Sequence, residues 1–406
     1  MQTQLQHHPP DRPARSSVPP SLAPKQRLRV LHVVSCLGMG GTEHGVIKLI
    51  RALGSEDFEH EICAVRGIDE NFARRMNIET MVSNVGSTKQ GLQFPIFRLA
   101  HLMRKIRPHI VHTRNFGALE AIPAARVARV PVAIHSEHGY ELEVLDGLPF
   151  RRRALCRAFY ALTDKVFTVS DELRDYHSRQ SWSPRERISV IYNGVNTDQF
   201  CPHPERAALV RSELGIPSGR VVIGTVGRIV PIKDHKTLVE AARILVREGR
   251  DIHVLIVGSG PELPKLQMQA AASPELVGRI MFLGASDRVP DLLNSMDLFA
   301  LPSISEGMSN TILEAMATGL PLIVTRAGGN PELVDDGRVG RLFKPRDVQA
   351  LARILSNLVD DPALRREYGR TARQRAVGQF SLADMVRHYR DLYFGLAARR
   401  DVWKGH

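Results

Sequence analysis

The chain has 406 residues, 43% of them hydrophobic, with a formal net charge of +12 and a sequence pI near 9.9. That length exceeds one ordinary domain, and the apolar fraction is that of a folded globular chain, so two domains with a core each are expected. No apolar run approaches the ~20 residues of a membrane-spanning helix, and the scattered Cys36, Cys63, Cys156 and Cys201 include no close pair of the metal-knuckle or redox kind. Free thiols in a reducing compartment are expected instead.

Residues 1–27 are rich in Pro, Ser, Arg and His without apolar periodicity, and a disordered tail is expected there. The tail lacks the apolar segment of a signal peptide, and its prolines would break a transit-peptide helix, which points to a cytoplasmic address. Strand and helix signals then alternate as in a parallel sheet covered by helices on both faces. Residues 29–35, 59–65, 109–113, 132–136 and 165–170 read as strands, and 44–53 and 94–107 as helices. Across residues 89–130 eight basic residues, including Lys89, Arg98, Arg104, Lys105 and Arg107, stand against the single acid Glu120, and Arg151, Arg152, Arg153 and Arg157 follow. Helix 94–107 carries Phe94, Ile96, Phe97, Leu99, Leu102, Met103 and Ile106 beside its basic residues, so it reads either as a surface for anionic lipid or as a core helix with a solvated basic face.

The pattern breaks over residues 193–204, where Asn-Gly and two prolines mark a hinge. It resumes with strands at 221–226, 253–257, 280–283, 298–301, 322–325 and 340–343. Helices are expected at 236–248, 262–272, 289–295, 309–317 and 330–334, then at 350–359, 363–377 and 383–398, a helical end long enough to pack back across a cleft. The expected division is a tail over 1–27, domains over 28–195 and 196–380, and a terminal helix over 381–406 that returns to the first domain.

Ligands of doubly wound sheets sit beyond the carboxyl ends of the strands, so the loops there hold the candidate chemistry. Gly38-Met39-Gly40-Gly41-Thr42-Glu43 opens a helix, where backbone N–H groups can approach a phosphate or sugar. It lacks the dinucleotide spacing and the Lys-Ser/Thr of a P-loop, and a plain tight turn accounts for it equally well. Arg228 and Lys233 share one strand-to-helix loop, either as a fork and a point charge for a leaving diphosphate or as a solvated charged loop. With no Asp-x-Asp motif, positive side chains would do the work of a divalent ion, and no metal is expected. In the run from Ser303 to Ala315, Glu306 stands in the loop before a helix and Glu314 about two turns inside it. The helix entrance at Gly307, Met308, Ser309 and Asn310 offers N–H donors and the positive dipole end to a diphosphate, while the two carboxylates suit sugar and ribose hydroxyls. A helix-capping charge and an exposed helical Glu is the plainer alternative.

The ordered combination of Arg228-x(4)-Lys233, the paired Glu306 and Glu314, the following Gly-x-Pro-x-x-x-Thr-x-x-Gly-Gly, and Asn193-Gly194-Val195 resembles glycosyltransferase family 4 from Arg29 to the C-terminal helices. Within that family it looks most like the sugar transferases of bacterial exopolysaccharide and exosortase systems. The resemblance implies a GT-B fold, two Rossmann-like domains facing a cleft, and a retaining, metal-independent transfer of a hexose from a nucleotide-diphosphate sugar to a glycan or lipid-linked acceptor. It places Glu306 at the donor sugar, Glu314 at the ribose, Arg228 and Lys233 at the departing diphosphate with Gly307, Met308, Ser309 and Asn310, Gly40 and Gly41 facing the phosphates, and His138 against the donor sugar from the first domain. No cofactor is implied beyond the donor substrate, and an anionic membrane surface is a partner suited to a lipid-linked acceptor. Two competing classes are a sugar-nucleotide epimerase or phosphorylase on the same scaffold and a basic nucleic-acid binder. The last is disfavoured by the absence of helix-turn-helix or zinc-ligand spacing and by an aromatic content of 6%.

Overall fold

The computed structural model describes residues 27–38, 40–77, 80–85, 95–140 and 147–402. The tail expected over 1–27 lies outside them up to residue 26, as do Met39, Lys89 and Phe94. Strands β1 (Leu28–Leu37), β2 (Phe58–Ile68), β3 (Met81–Asn84), β4 (Ile110–Arg114), β5 (Val132–Glu137), β6 (Lys165–Thr168) and β7 (Ile188–Val190) form a parallel sheet in the order β3-β2-β1-β4-β5-β6-β7. A second sheet, β10-β9-β8-β11-β12-β13, is built from β8 (Val221–Val226), β9 (Ile252–Val257), β10 (Ile280–Gly284), β11 (Leu298–Leu301), β12 (Leu322–Thr325) and β13 (Gly340–Phe343). Central strands such as β4, β5, β9 and β11 are buried along their whole length. Covered on both faces, they read as continuous apolar runs rather than alternating ones.

The expected strands are present, and two edge strands, β3 and β7, join them. At four and three residues these are too short to carry a periodic signal. The strand expected to reach residue 170 stops at Thr168, because the Ser170 hydroxyl accepts the Leu173 N–H at 3.2 Å and caps the helix Asp171–Ser181. That helix, Glu70–Arg75, Ala121–Val127, Phe150–Ala161 and Pro204–Glu213 are further helices for which the sequence showed no clear period.

The helix Pro95–Ile106 packs its apolar side inward. Leu99, Ala100 and Met103 are buried, and Ile96, Leu102 and Ile106 lie against the same cluster. Among the described apolar residues of this helix, Phe97, 70% exposed, stays outside with the basic face. The reading of this helix's apolar stripe as a lipid-facing surface is thereby corrected, since the first sheet consumes it.

At the C-terminus, Pro362–Gln379 packs Ala372 and Ala376 against Ile312 and Leu320 of the second unit. The chain then crosses beside the hinge, where Val195 N–H donates to Phe380 O at 2.9 Å and Leu382 N–H to Val195 O at 2.8 Å. A Cβ on Gly194 would lie 2.6 Å from Ser381 O, so the two crossovers touch because residue 194 has no side chain. The final helix, Leu382–Arg399, returns to the first sheet, where Tyr389, Tyr393 and Leu396 bury against Leu28, Phe58 and Ile110.

Candidate active site

The carboxyl ends of the two sheets face each other across a cleft of about 320 Å³. Nine of the sequence-selected residues line it: Arg228, Lys233, Glu306, His138, Gly41, Gly307, Met308, Ser309 and Asn310. Gly40 and Glu314 are not among the residues that line it. Gly40 sits one residue behind, as the extended N-cap of the helix Gly41–Leu53. Glu314 is half-buried in the second turn of the helix Asn310–Thr318.

On the second-domain wall, Arg228 leaves β8 exposed at the rim. Lys233 ends the turn Pro231–Lys233, and its Nζ donates to Glu306 Oε1 at 2.5 Å, with the two side chains only 17% and 11% exposed. A backbone bond from Ile304 N–H to Ile232 O at 2.7 Å joins their two loops. The Ser309 hydroxyl caps the following helix by accepting Ile312 N–H at 3.5 Å, and Gly319 closes it in the left-handed region at φ 82°. That cap satisfies one donor and leaves the other first-turn N–H groups at the cleft. Asn310 Oδ1 and the Tyr140 hydroxyl are buried there without a hydrogen-bond partner. Glu306 is held through its backbone as well: Gly329 N–H donates to its carbonyl at 3.0 Å, and Gly328, at φ 54°, lies so close that a Cβ would stand 1.9 Å from that oxygen.

The first-domain wall begins with the helix Gly41–Leu53, whose residues 41, 45 and 48 form one cleft-facing stripe. Lys48 Nζ donates to Gly194 O of the hinge at 2.6 Å. Burial lowers its pKa, and the field of Glu314 from the other domain opposes that shift. Burial pushes the Glu314 carboxyl up to about 7, against the opposing charge of Lys48. His138 follows β5. Its backbone N–H donates to Asn115 Oδ1 at 2.8 Å, and its Nε2 shares a hydrogen bond with the Ser136 hydroxyl at 2.9 Å. Burial first and the Arg114 charge second bring its pKa down to about 3, so it meets a ligand as a neutral imidazole. The walls touch where Gly307 passes the His138 carbonyl, 2.4 Å from where a Cβ would be.

Sequence reasoning missed Lys48 and Arg114 as cleft residues. Lys48 carried a signal, a lysine between the buried Ile47 and Leu49 on an amphipathic helix. Arg114 was legible only as one of many basic residues.

Two family models match consecutive parts of the chain, Glycosyltransferase Family 4 over residues 39–199 and Glycosyl transferases group 1 over residues 208–375. The UDP-Gal:alpha-D-GlcNAc-diphosphoundecaprenol alpha-1,3-galactosyltransferase of Escherichia coli is 28% identical over 92% of this chain and 98% of its own. The GDP-mannose-dependent alpha-(1-6)-phosphatidylinositol monomannoside mannosyltransferase of Mycolicibacterium smegmatis is 31% identical over 65% of this chain and 71% of its own. Among solved structures, Anabaena HepE in complex with UDP-glucose superposes with a TM-score of 0.76 at 21% identity, covering 91% of this chain and 100% of the other. This last likeness is one of fold, the two-sheet GT-B arrangement.

Proposed function

The chain belongs to glycosyltransferase family 4, a retaining family whose members use nucleotide sugars, and on that premise we propose that it moves a hexose from a nucleoside diphosphate sugar onto a glycan or lipid-linked acceptor in exopolysaccharide or other cell-surface polysaccharide synthesis. The observation that carries this reading is the convergence of Arg228, Lys233 and the entrance of the helix Asn310–Thr318 on one wall of one cleft, with Glu306 between them.

Cleaving the anomeric C–O bond sends its electron pair to the diphosphate, so stabilising that growing charge is the main catalytic task. Arg228, Lys233 and the free N–H groups near Met308 supply fixed positive charge there without a metal ion. The acceptor hydroxyl adds to the anomeric carbon on the face the diphosphate leaves, and its proton passes to a departing phosphate oxygen, which retains configuration. Glu306 orients donor-sugar hydroxyls, Glu314 the ribose, and neutral His138 hydrogen-bonds the sugar from the opposite wall. Thermal-shift measurements against nucleoside diphosphates and their sugars test the reading. A ligand at about 100 times its Kd adds ~2.7 kcal/mol, and a panel in which no nucleoside diphosphate raises Tm would overturn it.

The raised Glu314 carboxyl gives a pH signature. Its folded-state pKa of about 7 lies above the ordinary 4.5, so the folded protein binds the proton more tightly than the unfolded one. The resulting destabilisation is absent below about 4.5 and complete above 7. Glu314→Gln should therefore raise Tm most above pH 7 and progressively less toward pH 5. Donor affinity should move the other way: in the unmodified protein it weakens as pH falls through 7 and the carboxylate is lost, whereas in Glu314→Gln it is weaker and flat. Identical pH profiles of donor binding would remove Glu314 from the donor site.

For a lipid-linked acceptor we place the enzyme peripherally on the cytoplasmic membrane face. None of the described helices is long and apolar enough to span a membrane. Support comes from the helix Phe150–Ala161, where Phe150 and Leu155 are 73% and 46% exposed beside the exposed Arg151 and Arg157. The Phe150 ring meets that of the exposed Trp182 at 5.2 Å. Exposed aromatics among arginines suit an anionic headgroup layer, each cation adding ~1 kcal/mol. The protein should float with anionic but not neutral liposomes, and Phe150→Ser combined with Arg151→Glu should release it. Equal flotation with both liposome types would reduce these arginines to a solvated surface.

A further inference from the structure

Arg114, the last residue of β4, is the largest fully buried side chain among the described residues, 2% exposed, yet it lines the cleft. Its Nη1 donates to His32 Nδ1 at 3.1 Å, and His32 Nε2 in turn meets His60 Nδ1 at 3.0 Å. Its Nη2 is buried with no hydrogen-bond partner. The Tyr393 hydroxyl faces the guanidinium and also meets His112 Nδ1 at 2.8 Å. Neither His32 nor Tyr393 brings a carboxylate to this cation.

A guanidinium cannot shed its proton to escape burial. The imidazoles around it, His32, His60, His112 and His138, are kept neutral by burial and then by the arginine's own charge. Glu43, a carboxylate that feels that charge, is shifted toward its neutral form by burial and makes no ion pair with Arg114. A buried unpaired cation is costly, and a well-folded core would ordinarily match it with a carboxylate or replace it with an apolar side chain. Among the described residues lining the cleft, Lys48, Arg114, Arg228 and Lys233 are cations, and the one acid, Glu306, is already paired with Lys233. A donor diphosphate answers the charge of Arg228 and Lys233 on the second-domain wall and leaves Arg114, on the first-domain wall, unmatched.

We propose that Arg114 binds an anionic group, a phosphate or carboxylate, that the acceptor brings into the first-domain side of the cleft. The proposal rests on the glycosyltransferase reading and narrows its acceptor class to molecules bearing an anion near the hydroxyl that is glycosylated. Nη1 is committed to His32, which fixes the plane of the fork, and Nη2 is the donor left for the ligand. The imidazole chain beneath it acts through orientation: His32 and His60 are positioning residues.

The test uses the full chain saturated with UDP, so that the second-domain site is filled, and inorganic phosphate as the probe, titrated calorimetrically. Phosphate should bind in the presence of UDP. Arg114→Gln should weaken it about tenfold or more and Arg114→Lys by a smaller factor, because the ammonium keeps the charge and loses the fork, while UDP affinity stays unchanged in both. Absence of phosphate binding to the unmodified protein, or equal binding by Arg114→Gln, overturns the proposal and leaves Arg114 as a strut. If Arg114→Gln does not fold, as judged by loss of its UDP affinity, the Lys variant decides, and phosphate binding equal to the unmodified protein's overturns the proposal. A second arm compares UDP-glucuronate with UDP-glucose. A preference for the uronate that disappears in Arg114→Gln would put the anion on the donor and overturn the acceptor assignment. Failure of the unmodified protein to bind UDP at all would strike the glycosyltransferase reading itself.

Discussion

Lys233→Ala is expected to lower turnover at saturating donor by about a hundredfold to a thousandfold, the cost of removing one preorganised group at a developing oxyanion. Arg228→Ala should cost about a hundredfold. The larger effect at Lys233 follows from its setting. Its ammonium and the Glu306 carboxylate are a mostly buried pair at 2.5 Å, so deleting the lysine also leaves an unpaired carboxylate facing the donor diphosphate. The double variant Lys233→Ala/Glu306→Gln should therefore bind UDP more tightly than Lys233→Ala alone while remaining slow, a non-additivity that a double-mutant cycle measures. Both single variants should keep the fold, checked by thermal melting. Near-normal turnover in Lys233→Ala and Arg228→Ala would take both residues out of the reaction, and strict additivity in UDP binding would show that the Lys233–Glu306 pair is incidental to the donor.

Gly307→Ala should reduce kcat/KM by about a hundredfold with UDP binding largely intact. The added Cβ would sit 2.4 Å from the His138 carbonyl oxygen and 3.0 Å from Leu173 Cδ1. The oxygen is backbone at the end of a buried strand and cannot swing away, so the loop carrying Glu306 must withdraw from the first domain. A displacement of ~1 Å between reacting groups costs on the order of a hundredfold, whereas the UDP contacts proposed for the second domain move with the loop as one body. Steady-state kinetics and equilibrium UDP binding separate the two effects. Unchanged kcat/KM would mean that the two walls need not approach this closely during the reaction.

Much of the fold and most of the site were written in local sequence. Parallel strands buried on both faces announce themselves as short runs of Val, Ile and Leu, and β5, β8, β11, β12 and β13 were legible to within about a residue at either end. The second-domain wall was legible because its parts are contiguous: Arg228 and Lys233 share one loop, and Glu306 to Asn310 share one helix entrance, so spacing along the chain equals proximity in space. The edge strands β3 and β7 were not, since three or four residues cannot establish a period.

Only the tertiary structure decided the features that depend on residues far apart in the chain. The apolar stripe of Pro95–Ile106 could have faced lipid or core, and the neighbouring helix Ala121–Val127 claimed it by offering Ala121, Ile122 and Ala125 as packing partners. Glu314 gave no sign in local sequence of its surroundings, but the fold half-buries it, and that burial lifts its carboxyl toward neutrality against the opposing charge of Lys48 from the other domain. Arg114 was one basic residue among many until folding placed His32, His60, His112 and Tyr393 around it, with no carboxylate beside it. Local sequence determines which side chains are available and on which face of a strand or helix they stand. Burial, and with it the strength of every charge in the cleft, is set by what packs on top, and for Arg114 part of that cover comes from the C-terminal helix, whose Tyr393 bonds His112 across 281 residues of chain.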